Sequence, residues 1–97
     1  MKIVWTHFAI QRVGEIAEYI ALDNVSAAEK WVDKIFKRVE DLSSFGKSGR
    51  KVSETNDQKL REIIFGNYRI IYRIQKETIF ILTIRNFKQM LPIEDLI

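Results

Sequence analysis

Arginine is the residue type with the clearest chemical role in this sequence, and it recurs where the composition is that of a β-strand. The stretch GNYRIIYRI places Arg69 and Arg73 four residues apart among β-branched and aromatic side chains. Guanidinium groups bind phosphate and carboxylate groups through paired hydrogen bonds. The pattern therefore predicts a surface for an anionic partner, either nucleic acid or an acidic protein segment; the alternative is a solvated basic surface.

The positive charge of the chain is concentrated in its second half. The net charge is +3, but residues 47–91 hold ten basic and four acidic side chains, whereas residues 1–46 are slightly acidic. The candidate partner-binding or anion-binding residues all lie in this basic half: Lys59, Arg61, Arg69, Arg73, Arg85 and Lys88. Any anionic partner is therefore expected to contact the second half of the domain.

Other kinds of chemistry have little support in the sequence. Without cysteine there is no disulfide, thiolate metal site or Cys nucleophile, which fits a reducing cytoplasm. The single histidine, His7, is expected at a helix start, and Glu54, Asp57 and Glu62 form no evident acid pair. The glycines match no phosphate-binding loop. The sequence indicates no metal and no cofactor. Catalysis by the arginines alone would depend mainly on stabilising the charge of the transition state.

The 97 residues are enough for one domain, 1–97, which has no linker and no internal repeat. The N-terminus has no signal-peptide pattern, and no apolar run approaches the ~20 residues that span a bilayer, so no membrane association is expected. Residues 2–6 predict a strand, and Thr6 is a candidate helix cap. Helical periodicity predicts one helix to about residue 22 and a second to about residue 43, with Ser26 and Glu29 as a capping box.

The remaining sequence predicts three further strands at 59–65, 68–75 and 78–84. The dipeptides at 66–67 and 76–77 separate them at hairpin spacing. With the first strand joining the same sheet, the order is β-α-α-β-β-β. The predicted fold is α+β, an antiparallel helical hairpin packed on one face of an antiparallel four-stranded sheet.

Alternation along the strands predicts two unlike faces of this sheet. The face under the helices is expected to carry Tyr68, Ile70, Tyr72, Ile74, Phe80, Leu82 and Ile84. The opposite face is expected to carry Arg61, Arg69, Arg73 and Arg85 among Ile63, Phe65, Ile71, Ile79 and Ile81. Five apolar side chains on one open face form a patch that something should cover. The candidates are a partner chain and the C-terminal tail, which contains Phe87, Met90, Leu91, Ile93 and Leu96.

Several motifs in this order resemble the ParE/RelE superfamily of toxins from type II toxin–antitoxin systems. They are AEYI (17–20), AAEKWVDKIFKRVEDL (27–42), GRKVSE (49–54), LREIIFGNYRIIYRI (60–74) and IFILTIRNFKQML (79–91). The resemblance runs over nearly the whole chain and is closer to the ParE, or plasmid-stabilisation, branch. It implies the RelE/ParE-like fold and a bacterial toxin held inactive by a cognate antitoxin, in a toxin–antitoxin hetero-oligomer.

The resemblance implies two alternative activities. ParE-like members inhibit DNA gyrase and are not known as nucleases, whereas RelE-like members are ribosome-dependent endoribonucleases that cut mRNA. In the RelE pattern the catalytic residues would correspond to Arg61, Arg69, Arg85 and Lys88, with Arg69 contacting the substrate phosphate. RelE-like members also use a tyrosine in the C-terminal tail, and this sequence has none after Tyr72. The resemblance thus favours gyrase inhibition over RNA cleavage; a third alternative is a toxin fold that has lost toxicity and only binds its partner.

Overall fold

Two long helices follow the first strand, as the periodicity predicts. A computed structural model describes residues 1–87 and 92–96 of the chain. Strand β1 spans Lys2–Trp5, helix α1 spans His7–Ala21, helix α2 spans Val25–Glu40, and the single turn α3 spans Leu42–Phe45. The predicted cap at Thr6 is confirmed, since its Oγ1 accepts a hydrogen bond of 3.1 Å from the Ala9 amide. None of the described helices is long and apolar enough to cross a membrane.

The cap predicted for the second helix is wrong by two residues. Helix α2 begins at Val25, and the cap is Asn24, whose Oδ1 accepts a hydrogen bond of 2.9 Å from the Ala27 amide. Asn24 has the extended backbone that a cap requires, whereas Ser26 already lies within the first helical turn. The connection between the helices is therefore shorter than the capping-box pattern predicts.

This difference in the cap is directly testable. Replacement of Asn24 by alanine is expected to lower the free energy of unfolding by about 1 kcal/mol, because the Ala27 amide loses its acceptor. Ser26→Ala serves as the matched control and is expected to change stability by less than about 0.5 kcal/mol, since Ser26 is an exposed first-turn residue. Urea unfolding of both variants measures the difference, and an equal loss in the two would contradict the assignment of Asn24.

The sheet has five strands rather than the four predicted, and it is mixed rather than antiparallel. Strands β2 (Arg50–Lys51), β3 (Leu60–Phe65), β4 (Tyr68–Gln75) and β5 (Thr78–Asn86) join β1 in the order β1-β5-β4-β3-β2. Strand β1 runs parallel to β5, with Lys2 opposite Thr78 and Trp5 opposite Ile81. Thr6 fixes this junction by donating from its amide and its hydroxyl to the carbonyl of Ile81.

The three C-terminal strands form the predicted antiparallel meander. Both connections are two residues long, and each begins with a residue of positive φ, Gly66 at 59° and Lys76 at 56°. A positive φ at the first position of a two-residue turn matches the right-handed twist of the strands that it joins. Both hairpins therefore turn at the dipeptides predicted from the sequence.

The face that packs against the helices differs from the predicted one in β3 and β5. The main core contains residues of α1 and α2 together with Ile63, Ile70, Tyr72, Ile79, Ile81 and Ile84. Of the predicted β5 set, only Ile84 lies on this face; Leu82 packs in a separate cluster on the opposite face. The reason is an irregularity in the β4–β5 ladder, where Ile71 pairs with Thr83 but the next residue, Tyr72, pairs with Ile81. The extra residue, Leu82, shifts the alternation between Ile81 and Ile84.

Tyr72 anchors the loop after α3 to the core. Its hydroxyl donates to the Gly46 carbonyl at 2.7 Å and accepts from the Gly49 amide at 2.9 Å. The side chain is fully buried, and burial raises the pKa of the phenol above its ordinary value. These two hydrogen bonds fix the loop that leads into β2.

Candidate functional site

The sheet face turned away from the helices, called here the open face, presents Arg69, Arg73 and Arg85. Arg69 in β4 pairs directly with Arg85 in β5, so the two side chains project on the same side. Arg73 follows Arg69 by four residues along β4 and shares its face. The structure therefore brings together three of the residues that the sequence predicts as a site.

Arg69 is buried and is bound by two carboxylates. Its side chain is 6% exposed, and its Nε donates to Glu62, which is itself buried in β3. Its two terminal nitrogens donate to the two oxygens of Glu54, at 2.6 and 2.8 Å. The hydrogen bonds to Glu54, and then those to Glu62, raise the pKa of Arg69 although burial opposes the shift. A fully charged arginine is thus held inside the fold by residues of the same chain.

Glu62 connects this buried arginine to the sheet edge. Its second carboxylate oxygen accepts a hydrogen bond of 2.8 Å from Nε of Arg50 in β2, whose side chain is 64% exposed. Arg69, Glu54, Glu62 and Arg50 therefore form one network, called here the Arg69 network. Arg69, Glu54 and Glu62 together carry one positive and two negative charges, and the exposed Arg50 supplies the balancing positive charge.

Arg73 and Arg85 are also paired with carboxylates, but nearer the surface. Arg73 donates to Asp57 at 2.9 Å and to the Leu96 carbonyl at 3.4 Å. The Lys59 amide, which donates to Asp57 at 2.9 Å, is the main cause that lowers the pKa of Asp57, and Arg73 contributes further.

Arg85 binds both oxygens of Asp95, a buried residue of the C-terminal 3-10 turn Ile93–Leu96. The hydrogen bonds to Asp95 raise the pKa of Arg85. Thr83 donates a further hydrogen bond of 3.2 Å to the same carboxylate, and the Arg85 guanidinium lies 5.9 Å from the ring centre of Phe8. Asp95 therefore ties the C-terminal turn to β5.

The apolar part of the open face is covered in part by the chain itself. Val52, Leu60 and Ile71 form a second buried cluster, against which Leu82 and Leu96 pack. Leu96 belongs to the C-terminal turn, so the expectation that the tail covers part of this face is confirmed for that residue. Of the other tail residues proposed as cover, Phe87 remains 43% exposed, and Met90 and Leu91 lie outside the described residues.

Of the remaining predicted site residues, Arg61 does not lie on the open face. Arg61 pairs directly with Tyr72 and so lies on the helix-facing side, which corrects its placement beside Arg69 and Arg73. Ile63 and Phe65, two and four residues after Arg61 along the same strand, are on that side as well. Lys59 lies just before β3 and is exposed, whereas Lys88 lies outside the described residues.

Four acidic residues complete the site, and none of them is predicted from the sequence as a partner of the arginines. They are Glu54, Asp57, Glu62 and Asp95. One signal was present: a glutamate at position 62, on the strand face opposite to Arg61, requires a cation if that face is covered. Among the described residues, no group of three or more His, Cys, Asp or Glu side chains is placed to hold a metal ion.

Comparison with known proteins agrees with the motifs and the fold. The family model of the ParE toxin of the type II toxin–antitoxin system parDE matches residues 3–91. The chain belongs to the ParE toxin family. A relative from Sinorhizobium fredii (strain NBRC 101917 / NGR234), named "Putative toxin Y4kP", is 34% identical over 93 residues, covering 94% of this chain and 93% of the relative.

A solved structure shares the fold of this ParE family member. It is titled "Chromosomal ParDE TA system from P. aeruginosa" and matches with a TM-score of 0.74 at 22% identity, over 89% of this chain and 95% of the other. The resemblance to the ParE branch of type II toxins is therefore confirmed, and the α+β architecture with a helical hairpin on a sheet is shared with that structure.

Proposed function

We propose that this ParE family member is a toxin that inhibits DNA gyrase through protein contacts and is neutralised by a cognate antitoxin. Family membership over residues 3–91 supports the toxin assignment, and the solved relative comes from a ParDE toxin–antitoxin system. The observation that favours gyrase inhibition over RNA cleavage is the engagement of Arg69 by both Glu54 and Glu62.

The Arg69 network disfavours an mRNA phosphate as the ligand of the open face. In the nuclease alternative Arg69 would contact substrate phosphate, but all three of its nitrogens already donate to carboxylates. A phosphate approaching Arg69 would meet the negative charges of Glu54 and Glu62, which repel it. The absence of a tyrosine after Tyr72 also disfavours RNA cleavage, because the RelE-like pattern uses a tyrosine in the C-terminal tail.

A supercoiling assay with purified gyrase tests the proposal. Addition of the folded protein to gyrase, ATP and relaxed plasmid is expected to inhibit supercoiling or to trap cleaved DNA. Intact supercoiling together with codon-dependent cuts in mRNA in a translation extract would instead establish the nuclease activity. Unimpaired growth on induced expression, with no effect in either assay, would indicate a fold that has lost toxicity.

The contribution of the open face to antitoxin binding is tested at Arg73. This residue suits the test better than Arg69 because its side chain is 28% exposed and its partner Asp57 is 33% exposed, so that replacement leaves no buried charge. If acidic antitoxin residues contact this face, Arg73→Gln weakens binding of the co-expressed antitoxin, whereas Lys2→Gln, on the far edge strand β1, leaves it unchanged. Equal affinities in the two variants would exclude Arg73 from the interface.

A further inference from the structure

The C-terminal turn, Ile93–Leu96, is attached to the open face through side chains rather than through strand pairing. Among the described residues, its backbone hydrogen bond is internal, from the Asp95 amide to the Pro92 carbonyl at 3.0 Å. The hydrogen bonds that join the turn to the sheet are donated by the side chains of Arg73, Thr83 and Arg85. The turn can therefore leave the open face while the ladders between the described strands stay intact.

The turn contacts the open face through two adjacent residues of different chemistry. The Asp95 carboxylate is 3% exposed, and it accepts hydrogen bonds from Nε and Nη2 of Arg85 and from the Thr83 hydroxyl. The next residue, Leu96, packs against the buried apolar cluster of this face, and its carbonyl accepts from Arg73 at 3.4 Å. A carboxylate followed by a large apolar side chain is therefore the pattern that this part of the face binds.

The charges beneath the turn favour its exchange for another acidic segment over its simple loss. Arg73 forms an ion pair with Asp57, which lies outside the turn, so this pair persists when the turn leaves. Arg85, by contrast, forms its ion pair with Asp95 of the turn, and its side chain is only 23% exposed. Departure of the turn removes this carboxylate from a largely covered guanidinium, which is unfavourable unless another carboxylate takes its place.

We propose that this part of the open face is a binding site for an acidic peptide segment of a partner protein, and that the C-terminal turn occupies the site in the free chain. The segment carries an Asp or Glu that replaces Asp95 on Arg85, followed by a large apolar side chain that replaces Leu96. Because the turn and the segment exclude each other, the turn lowers the affinity of the free chain for its partner. The proposal rests on the proposed function only in naming the antitoxin as the protein that supplies the segment.

Fluorescence anisotropy of a labelled peptide, measured with the full chain, tests this exchange. The peptide has the sequence of residues 92–97, PIEDLI, and its C-terminus is amidated so that it adds no further charge. Asp95→Asn removes the charged contact of the turn with Arg85, and this variant is expected to bind the peptide about tenfold more tightly than the unaltered chain does. Glu94→Gln, an equal loss of charge at the exposed neighbouring residue, is expected to leave the affinity unchanged.

Further variants assign the gain to this site and keep the test decisive if Asp95→Asn does not fold. The tighter binding is expected to disappear when Arg85→Gln is added to Asp95→Asn, and also when Asn replaces Asp in the peptide. Leu96→Ala weakens only the apolar contact of the turn, and it is expected to tighten peptide binding about threefold.

Two results overturn the proposal. One is an affinity in Asp95→Asn and Leu96→Ala no higher than that of Glu94→Gln, and the other is equal binding of the Asp and Asn peptides. These measurements use neither gyrase nor antitoxin, so their failure is distinct from a failure of gyrase inhibition.

Discussion

Replacement of Arg69 by methionine is expected to lower the free energy of unfolding by about 3–5 kcal/mol. The substitution removes the cation that binds Glu54 and the buried Glu62, and leaves two carboxylates facing each other in a covered part of the sheet. Methionine fills a similar volume, so the loss is electrostatic rather than a matter of packing. Urea unfolding at pH 7, followed by circular dichroism, measures the effect.

Arg50→Met is the matched control for this experiment. Arg50 binds the same Glu62, but its side chain is 64% exposed, so its removal is expected to cost less than about 1 kcal/mol. In the background of Arg69→Met, replacement of Glu62 by methionine and of Glu54 by glutamine is expected to restore much of the lost stability, because the unpaired charges are gone. A small loss in Arg69→Met, similar to that of Arg50→Met, would show that the network contributes little to folding.

This expected instability changes how an Arg69 substitution is interpreted. The family pattern makes Arg69 the first choice for mutagenesis, but a variant without it loses toxicity if it unfolds, whatever the residue contacts in the target. Arg73 is not subject to this ambiguity, since both members of its ion pair with Asp57 are partly exposed. Loss of toxicity in Arg73→Gln with unchanged stability would therefore indicate that Arg73 contacts the target.

Replacement of Gly49 by alanine is expected to lower the free energy of unfolding by about 2–4 kcal/mol. An added Cβ would lie 2.2 Å from the Tyr72 hydroxyl oxygen and 2.9 Å from the Glu62 carbonyl oxygen. The Tyr72 ring is fully buried and the Glu62 carbonyl is part of β3, so neither group moves away easily. The hydrogen bonds that anchor the loop are therefore lost together with the close packing, which chemical denaturation detects as a lower midpoint.

Gly14→Ala is the control for Gly49→Ala, and the two effects are expected to have opposite signs. Gly14 lies inside α1, and an added Cβ there meets nothing within 4 Å. Alanine in an exposed helix position is expected to raise the free energy of unfolding by about 0.5–1 kcal/mol. If Gly49→Ala were as stable as the unaltered chain, the loop would be free to move away from Tyr72.

The local elements of this fold are readily predicted from sequence, whereas the pairings between distant segments are not. Helix periodicity, the cap at Thr6 and both two-residue turns depend on neighbouring residues, and the structure confirms them. The short strand Arg50–Lys51 has no strand pattern of its own and exists because β3 offers a free edge. The parallel direction of β1 likewise depends on its contact with β5.

The faces of the strands were predicted less well, for a reason visible in β5. Residues 79–82 are Ile, Phe, Ile and Leu, all apolar, so alternation cannot distinguish the two sides of this strand. The inserted residue at Leu82 then makes Ile81 and Ile84 share a side that strict alternation assigns to different faces. Arg61 was misplaced because its strand also contains apolar residues in both registers.

For the candidate site, the sequence indicated the arginines but not their carboxylate partners. Glu54 and Asp57 lie in a loop, and loops impose no periodicity from which a contact with β4 follows. Asp95 reaches Arg85 only because the chain turns back after β5. The predicted cationic surface is therefore largely neutralised within the chain, which no count of charges along the sequence reveals.

The parallel pairing of β1 with β5 also affects when the protein folds during synthesis. The first strand of the chain pairs with the last, and α1 packs over core residues that β5 supplies, among them Ile79 and Ile84. A nascent chain that lacks β5 has neither a partner for β1 nor the middle of its core, and contacts between such distant segments form late. The helical hairpin is expected to emerge from the ribosome without a sheet to cover it. Synthesis of β5 therefore sets the moment at which the folded domain can first form.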